Sequence, residues 1–387
     1  MTSVRALWQA YAAVWREIGA DKGALMLLFV AGVVYSLFYP LPYRYEQVES
    51  VSVAVVDRDL SPSSRTLVRW LEALPVLDVE RLGGEPAALQ EALWRGEVMG
   101  LVVIPEGFHG ELLSGRQAEL QVASHEGYLL AGSKVLTGVS QVAATLGAGV
   151  TRQRLLGQGQ ASWQAEAGHA PVRLEARALY NVAEGYGSYV VPAVMVLIIQ
   201  QTLLMGITLI IGSRAERGRL GQSPLGYGGM LAAFTSVGVI NCLYYFEGVT
   251  RFQDYPLAGT LGPTLLFSVV FSLCVSALAL LLASAFDTRE RGLQLLLATS
   301  IPMLFLAGYS WPVEALPEPL VWLRWLLPST AGIQGLVALN QMGVGLGQVS
   351  RELWVLLGLA LVAVPLGAWR YARLPGGPLA ADAAPDA

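Results

Sequence analysis

Few side chains in this 387-residue chain are of the types that do covalent or acid–base chemistry, and those few are scattered. The two lysines are Lys22, which follows Asp21, and Lys134, which follows Ser133 and precedes Val135. A phosphate-cradling loop sets its lysine directly after glycine and before serine or threonine. Neither lysine fits, so ATP hydrolysis by that route is excluded. His109, His125 and His169 lie far apart without metal-site spacing and read as surface or structural residues. Cys242 and Cys274 fall inside apolar stretches and read as packing residues rather than a disulfide. With no paired carboxylates and no Ser/His/Asp arrangement, no catalytic residue and no metal ligand is assigned. No cofactor is expected on the chain, and an enzyme is disfavoured.

Two other groups of polar residues stand out. Gly212–Leu220 reads Gly-Ser-Arg-Ala-Glu-Arg-Gly-Arg-Leu, and Asp287–Arg291 reads Asp-Thr-Arg-Glu-Arg, both between long apolar stretches. Inside those stretches the polar residues are neutral: Gln200, Gln201, Thr202, Asn241, Ser268, Ser272, Ser276, Gln294, Thr299 and Ser300. Such residues mostly hydrogen-bond between helices. Gln200, Gln201 and Asn241 are the candidates for lining a transport path. The carboxylates that mark a proton or ion relay are missing from the middle of these stretches.

The elements that must carry these residues are set by composition. Hydrophobic residues make up 54% of the chain and charged residues 14%, with mean hydropathy +0.51. Soluble domains carry roughly 25% charged residues, so much of the chain is suited to lipid. The net charge of −4 offers no basic excess for nucleic acid. A helix needs roughly 20 mostly apolar residues to cross a bilayer. Six stretches qualify: Gly23–Leu41, Ser188–Gly212, Gly226–Phe246, Leu257–Phe286, Gly292–Trp311 and Leu353–Trp369. The first is expected to be an uncleaved anchor, because no A-x-A site follows it. Residues 1–22 precede it as an amphipathic helix whose stripe is Val4, Leu7, Trp8, Tyr11, Trp15 and Ile18. That stripe suits the membrane interface, or alternatively another part of the protein. Pro312–Ser350, rich in Trp and Leu but broken by four prolines, is too irregular to span and suits a re-entrant hairpin of short helices.

Residues 43–186 differ in character, with 12 Lys/Arg and 17 Asp/Glu. Strand-like runs at Val51–Val56, Val76–Leu82, Val98–Ile104 and Glu119–Ala123 alternate with helical Arg65–Leu74, Ala87–Arg95 and Ala131–Leu156. Val172–Ala178 alternates like a returning strand. The expectation is an α-helical membrane protein with six transmembrane helices and an inserted extracytoplasmic α/β domain. Its parts are the interfacial helix, a first span over 23–42, the domain, a five-helix region over 187–371 with the hairpin at 312–350, and a disordered tail over 372–387.

Lys and Arg in short loops set orientation. With the amino terminus inside, the inner segments hold ten: Arg5, Arg16, Lys22, Arg214, Arg217, Arg219, Arg289, Arg291, Arg370 and Arg373. The outer ones hold three, Arg251, Arg324 and Arg351. Both ends are therefore expected in the cytoplasm and the α/β domain outside.

This layout resembles the ABC-2 type permeases of bacterial exporters, in the subgroup with a large extracytoplasmic domain after the first span. Local sequence carries the resemblance at Val53–Arg65, at Leu179-Tyr-Asn-Val182 through Tyr189-Val-Val-Pro192, and at Phe305–Pro312 with Leu327-Pro-Ser-Thr330. The loop after the second span departs from the family pattern: Glu216 and Gly218 are present but the threonine is not. The resemblance implies a permease subunit in the bacterial cytoplasmic (inner) membrane. Its partners would be a separate cytoplasmic ATPase, a second permease subunit forming a homo- or heterodimer, and the lipid membrane, with a periplasmic adaptor as a further candidate. Arg214, Glu216, Arg217, Gly218 and Arg219 would form the main contact to the ATPase, with Asp287, Arg289 and Glu290 a secondary one. A hydrophobic or amphipathic substrate suits the neutral spans. A membrane-anchored receptor or secretion-accessory protein is the competing expectation.

Overall fold

The computed structural model describes residues 2–45, 50–81, 86–125, 127–169, 179–182 and 184–375. The strand expected at Val172–Ala178 and residues 376–387 of the expected tail lie outside them, whereas Ala372 and Arg373, expected in that tail, are the last residues of a helix. Two units form, one of Met1–Arg44 with Ala178–Ala387 and one of Tyr45–Arg177.

The first unit opens with helix α1 (Thr2–Ala20). Asp21 then ends one helix and starts the next, its Oδ1 accepting from Gly23 N at 3.0 Å and Ala24 N at 3.1 Å. This cap satisfies two of the amides that a helix start leaves free. The continuing helix α2 (Lys22–Tyr43) is long and apolar enough to cross a membrane, and contains a π-helical turn at Met26–Val30.

The second unit is an α/β sandwich. Its elements are β1 (Val51–Asp57), α3 (Pro62–Glu72), β2 (Leu77–Arg81), α4 (Pro86–Trp94), β3 (Gly100–Ile104), α5 (Phe108–Leu113), β4 (Gln121–Ser124), α6 (Leu129–Gly157) and α7 (Ser162–His169). The sheet order is β2-β1-β3-β4, with β1 parallel to both neighbours and β4 antiparallel to β3. Alternation along β1 sends Val51, Val53 and Val55 into a core with Leu67 and Leu71 of α3 and Val135 and Val139 of α6. Ala54 and Val56 face the opposite core, with Leu89 and Leu93 of α4. Gly100 lets α6 come close, since a Cβ there would lie 2.5 Å from Val135. The turn after β1 is held by carboxylates. Asp57 accepts from Leu60 N at 2.9 Å and from the Ser64 hydroxyl at 2.7 Å, while Asp59 accepts from Gly107 N at 2.9 Å and His109 N at 3.1 Å. Burial works to raise the Asp59 pKa, but the hydrogen bonds from Ser61, His109 and Gly107 outweigh it and hold the carboxyl below its ordinary value.

The first unit resumes with α8 (Tyr186–Glu216), α9 (Pro224–Phe252), α10 (Leu261–Ala283), α11 (Arg289–Leu306), α12 (Glu318–Leu323), α13 (Pro328–Gln341) and α14 (Ser350–Arg373). Helix α8 is the axis, buried almost continuously from Gly187 to Arg214. It packs against α10, α11 and α13, while α1 lies along α9. The α1 stripe divides: Val14 and Ile18 are buried on the protein, whereas Val4 and Trp8 are exposed. At Gly229 the Leu7 carbonyl oxygen sits where a Cβ would be.

Small residues govern the other crossings. Thr264, Ser268, Ser272 and Ser276 make a buried row down one face of α10, and Ser272 lies against Gly238 of α9. Gly332 and Gly335 of α13 receive the Phe271 and Phe267 rings of α10. Without water to expel from lipid, helices associate through such close backbone approach.

Among the described residues five helices are long and apolar enough to cross a membrane: α2, α8, α9, α10 and α14. The stretch expected at Gly292–Trp311 is α11, which has 18 residues and opens on Arg289, Glu290 and Arg291. Its apolar part is therefore shorter than a standard span, and the chain turns at Gly308, φ 75°. In the Pro312–Ser350 segment, α12 is short and lacks buried residues, whereas α13 is buried along nearly all its length.

Candidate functional site

The charged residues between the apolar stretches meet at one end of the helical unit. Helix α8 ends on a left-handed glycine: Arg217 is the cap and Gly218 has φ 66°, with Arg219 N bonded back to Arg214 O at 2.9 Å. This stop leaves Arg214 inside the protein, 5% exposed. Its Nε donates to Glu17 Oε2 of α1 at 2.9 Å, and its Nη1 rests on the Met230 sulfur of α9, a weak acceptor. Nη2 is buried without a partner.

Beside this pair, Arg289 at the start of α11 holds Asp21, Nη2 to Oδ2 at 2.9 Å. Its backbone amide donates to Glu216 Oε1 at 3.1 Å. Glycine makes the approach feasible, because a Cβ on Gly212 would lie 2.7 Å from the Arg289 Cα. Burial alone would raise the Asp21 pKa. The Ala24 and Gly23 amides and the Arg289 guanidinium reverse this and leave it lowered. One joint thus binds the end of α1, the start of α2, the end of α8 and the start of α11. A cavity of about 420 Å³ lies within it, lined by Glu17, Asp21, Lys22, Arg214, Arg217 and Arg289 among others.

The same end is fastened to α14. Gly221 N donates to Pro375 O and Gln222 N to Tyr371 O, each at 3.0 Å. Arg370 grips Ser284 at the end of α10, Nε to Oγ at 2.8 Å and Nη2 to the carbonyl at 3.1 Å. The Tyr371 hydroxyl donates to Leu280 O at 3.0 Å.

Of the residues singled out by sequence, the structure brings Arg214, Glu216 and Arg289 into the joint. Gly218 terminates α8. Arg217, Arg219, Asp287 and Glu290 are exposed around it, and Asp287 reaches Arg291 only at 3.9 Å. Sequence reasoning missed Glu17 and Asp21, which supply both carboxylate partners. Nothing in their local spacing signals them, because their arginine partners are distant in the chain. It also missed the Arg370–Tyr371 clasp.

The neutral polar candidates occupy two interfaces. Gln200 and Gln201 of α8 both turn their Nε2 to the Met303 sulfur of α11 at 3.4 Å, and both Oε1 atoms are buried without a partner. Asn241 of α9 faces α2 instead, donating to Leu28 O at 2.9 Å, one turn from Tyr245, whose hydroxyl donates to Gly32 O at 2.7 Å. These two side chains hold the carbonyls at and just after the π-helical turn of α2. Among the described residues no cluster of His, Cys, Asp and Glu suits a metal ion.

The chain is similar in sequence to known transport proteins. It is 22% identical over 330 residues to the probable multidrug ABC transporter permease YbhR of Escherichia coli K12, covering 83% of this chain and 86% of that protein. The O157:H7 form of YbhR matches equally. ABC transporter G family member 20 of Dictyostelium discoideum is 28% identical over 102 residues, 26% of this chain and 14% of that protein. Residues 23–369 match the ABC-2 family transporter proteins, from the first apolar helix to the last. The chain belongs to the ABC-2 transporter family and is an ABC exporter permease subunit.

Proposed function

We propose that this subunit crosses the inner membrane six times, with α11 as the fifth crossing in chain order and both ends of the chain in the cytoplasm. The α/β unit then stands on the far side, in the subgroup with a large extracytoplasmic domain between the first and second crossings. Two permease subunits, alike or different, enclose the path, and a separate ATPase drives them from the cytoplasm. The chain itself uses no cofactor in this reading. A hydrophobic or amphipathic substrate fits spans whose polar groups are neutral, and the multidrug description of YbhR points the same way. Gln200 and Gln201, with unpartnered buried oxygens, are the foremost lining candidates. The α/β unit offers a periplasmic adaptor a folded surface.

The observation that carries the coupling part is the Glu17–Arg214 and Asp21–Arg289–Glu216 joint. A push on the exposed Arg217–Arg219 turn passes directly to α1, α2, α8 and α11, because all four are pinned there. Packed interfaces of this kind switch between discrete arrangements rather than deforming smoothly. Replacing Glu216 and Arg217 together is expected to abolish stimulation of the partner ATPase while the variant still inserts in the membrane. Normal stimulation in that double variant would overturn the coupling role.

A further inference from the structure

The cavity inside the joint has a charge imbalance that its own residues do not settle. Four cations line it, Lys22, Arg214, Arg217 and Arg289, against two carboxylates, Glu17 and Asp21. Both carboxylates are committed, Glu17 to Arg214 and Asp21 to Arg289 and the α2 amides. Lys22 and Arg217 have no ion partner among the described residues, and Arg214 Nη2 is buried without an acceptor. A small group with several anionic oxygens would neutralise the two free cations together, as arginine and lysine do around phosphate. The position matches one source of such a group. Helix α1 leads to the cavity and exposes Val4 and Trp8, the amphipathic arrangement that seats a helix among lipid headgroups.

We propose that this cavity is a binding site for a phosphate group, presented by an anionic lipid at the membrane surface or by free phosphate. Occupation adds bonds from α2, α8 and α11 to one anion and so sets the stiffness of the joint. This consequence rests on the coupling reading, whereas binding itself does not.

The test measures binding by the full chain in detergent, without the ATPase, using native mass spectrometry. The probes are phosphatidylglycerol, phosphatidylcholine and inorganic phosphate. The wild type is expected to retain phosphatidylglycerol over phosphatidylcholine. The K22Q/R217Q variant, altered only at exposed side chains, is expected to weaken that retention about a hundredfold, the scale of two lost charge-assisted contacts at about tenfold each. Arg373→Gln, which removes a cation outside the cavity lining, is expected to leave it unchanged. Phosphatidylglycerol that excess inorganic phosphate fails to displace assigns the lipid source, and binding of inorganic phosphate without lipid preference assigns free phosphate. Equal binding by wild type and K22Q/R217Q, an equal loss in Arg373→Gln, or no binding of any probe by the wild type overturns the site. Because no ATPase is present, such a result leaves the coupling test standing.

Discussion

Arg214 depends on Glu17 more than the reverse, because the arginine side chain is 6% exposed and the glutamate 30%. Removing one partner of a buried pair costs roughly 3–5 kcal/mol, and the partial exposure of Glu17 reduces that to about 2 kcal/mol. Glu17→Gln is therefore expected to lower the unfolding midpoint in detergent. Adding Arg214→Met should recover part of the loss, since no buried charge then remains. If the double variant is no more stable than Glu17→Gln, the pair does not act as a buried ion pair. Asp21 gives the joint a pH dependence. Its folded pKa lies below the unfolded value of about 3.9, so its stabilising contribution is fully present above that value. It is lost as pH falls through the folded pKa. Hydrogen-exchange protection at residues 22–25 and 289–292, relative to the intrinsic rate at each pH, should fall on acidification in the wild type and respond less in Asp21→Asn. At this scale part of the site was legible: Arg214, Glu216 and Arg289 stand out as charges between apolar stretches. Glu17 and Asp21 did not, because their partners are 197 and 268 residues away in the chain. Helical spacing carries no information about such contacts.

Glycine positions decide how the helices meet. At Gly229 the approaching atoms are backbone, the Leu7 carbonyl and the Tyr11 nitrogen, as well as the Ala10 Cβ. Backbone cannot rotate aside as a side chain can, so Gly229→Ala must displace α1, at a cost of about 1–3 kcal/mol typical of overpacking. The expected readout is faster protease cleavage within residues 2–20 with the remaining helices intact; unchanged cleavage would mean that α1 is held elsewhere. Gly228, one residue earlier, has nothing within reach, and Gly228→Ala serves as the control. The long apolar helices were legible because lipid imposes a length and a composition that sequence shows directly. Two elements were not. Hydropathy bounded one stretch at Gly292–Trp311, but helix α11 begins earlier, on Arg289–Arg291, and stops at Leu306. The prolines of 312–350 suggested only short helices, yet α13 is 14 residues long and buried against α8, α10 and α14. Its burial depends on Gly332 and Gly335 meeting phenylalanines of another helix, a match between distant segments.

At the scale of the molecule, the parity of crossings decides which parts share a side. Helix α11 rises about 27 Å over its 18 residues, close to the roughly 30 Å hydrocarbon thickness. Its start is pinned in the charged joint with Asp21 and Glu216. Just past its other end, Tyr309 stacks on Tyr189 near the start of α8, with centroids 4.6 Å apart, and accepts the Tyr189 hydroxyl at its carbonyl. Since α8 itself is long enough to cross, the two ends of α11 lie beside opposite ends of a crossing helix. That supports the proposed crossing by α11 despite its charged first turn. Single cysteines test this cleanly, because Cys242 and Cys274 are fully buried and are expected to resist a membrane-impermeant thiol reagent. In intact cells, Glu314→Cys and Glu106→Cys are expected to label from outside, whereas Asp287→Cys and Arg219→Cys should label only after permeabilisation. If α11 did not cross, positions 287 and 314 would label together. If the α/β unit stood inside, position 106 would label with 219.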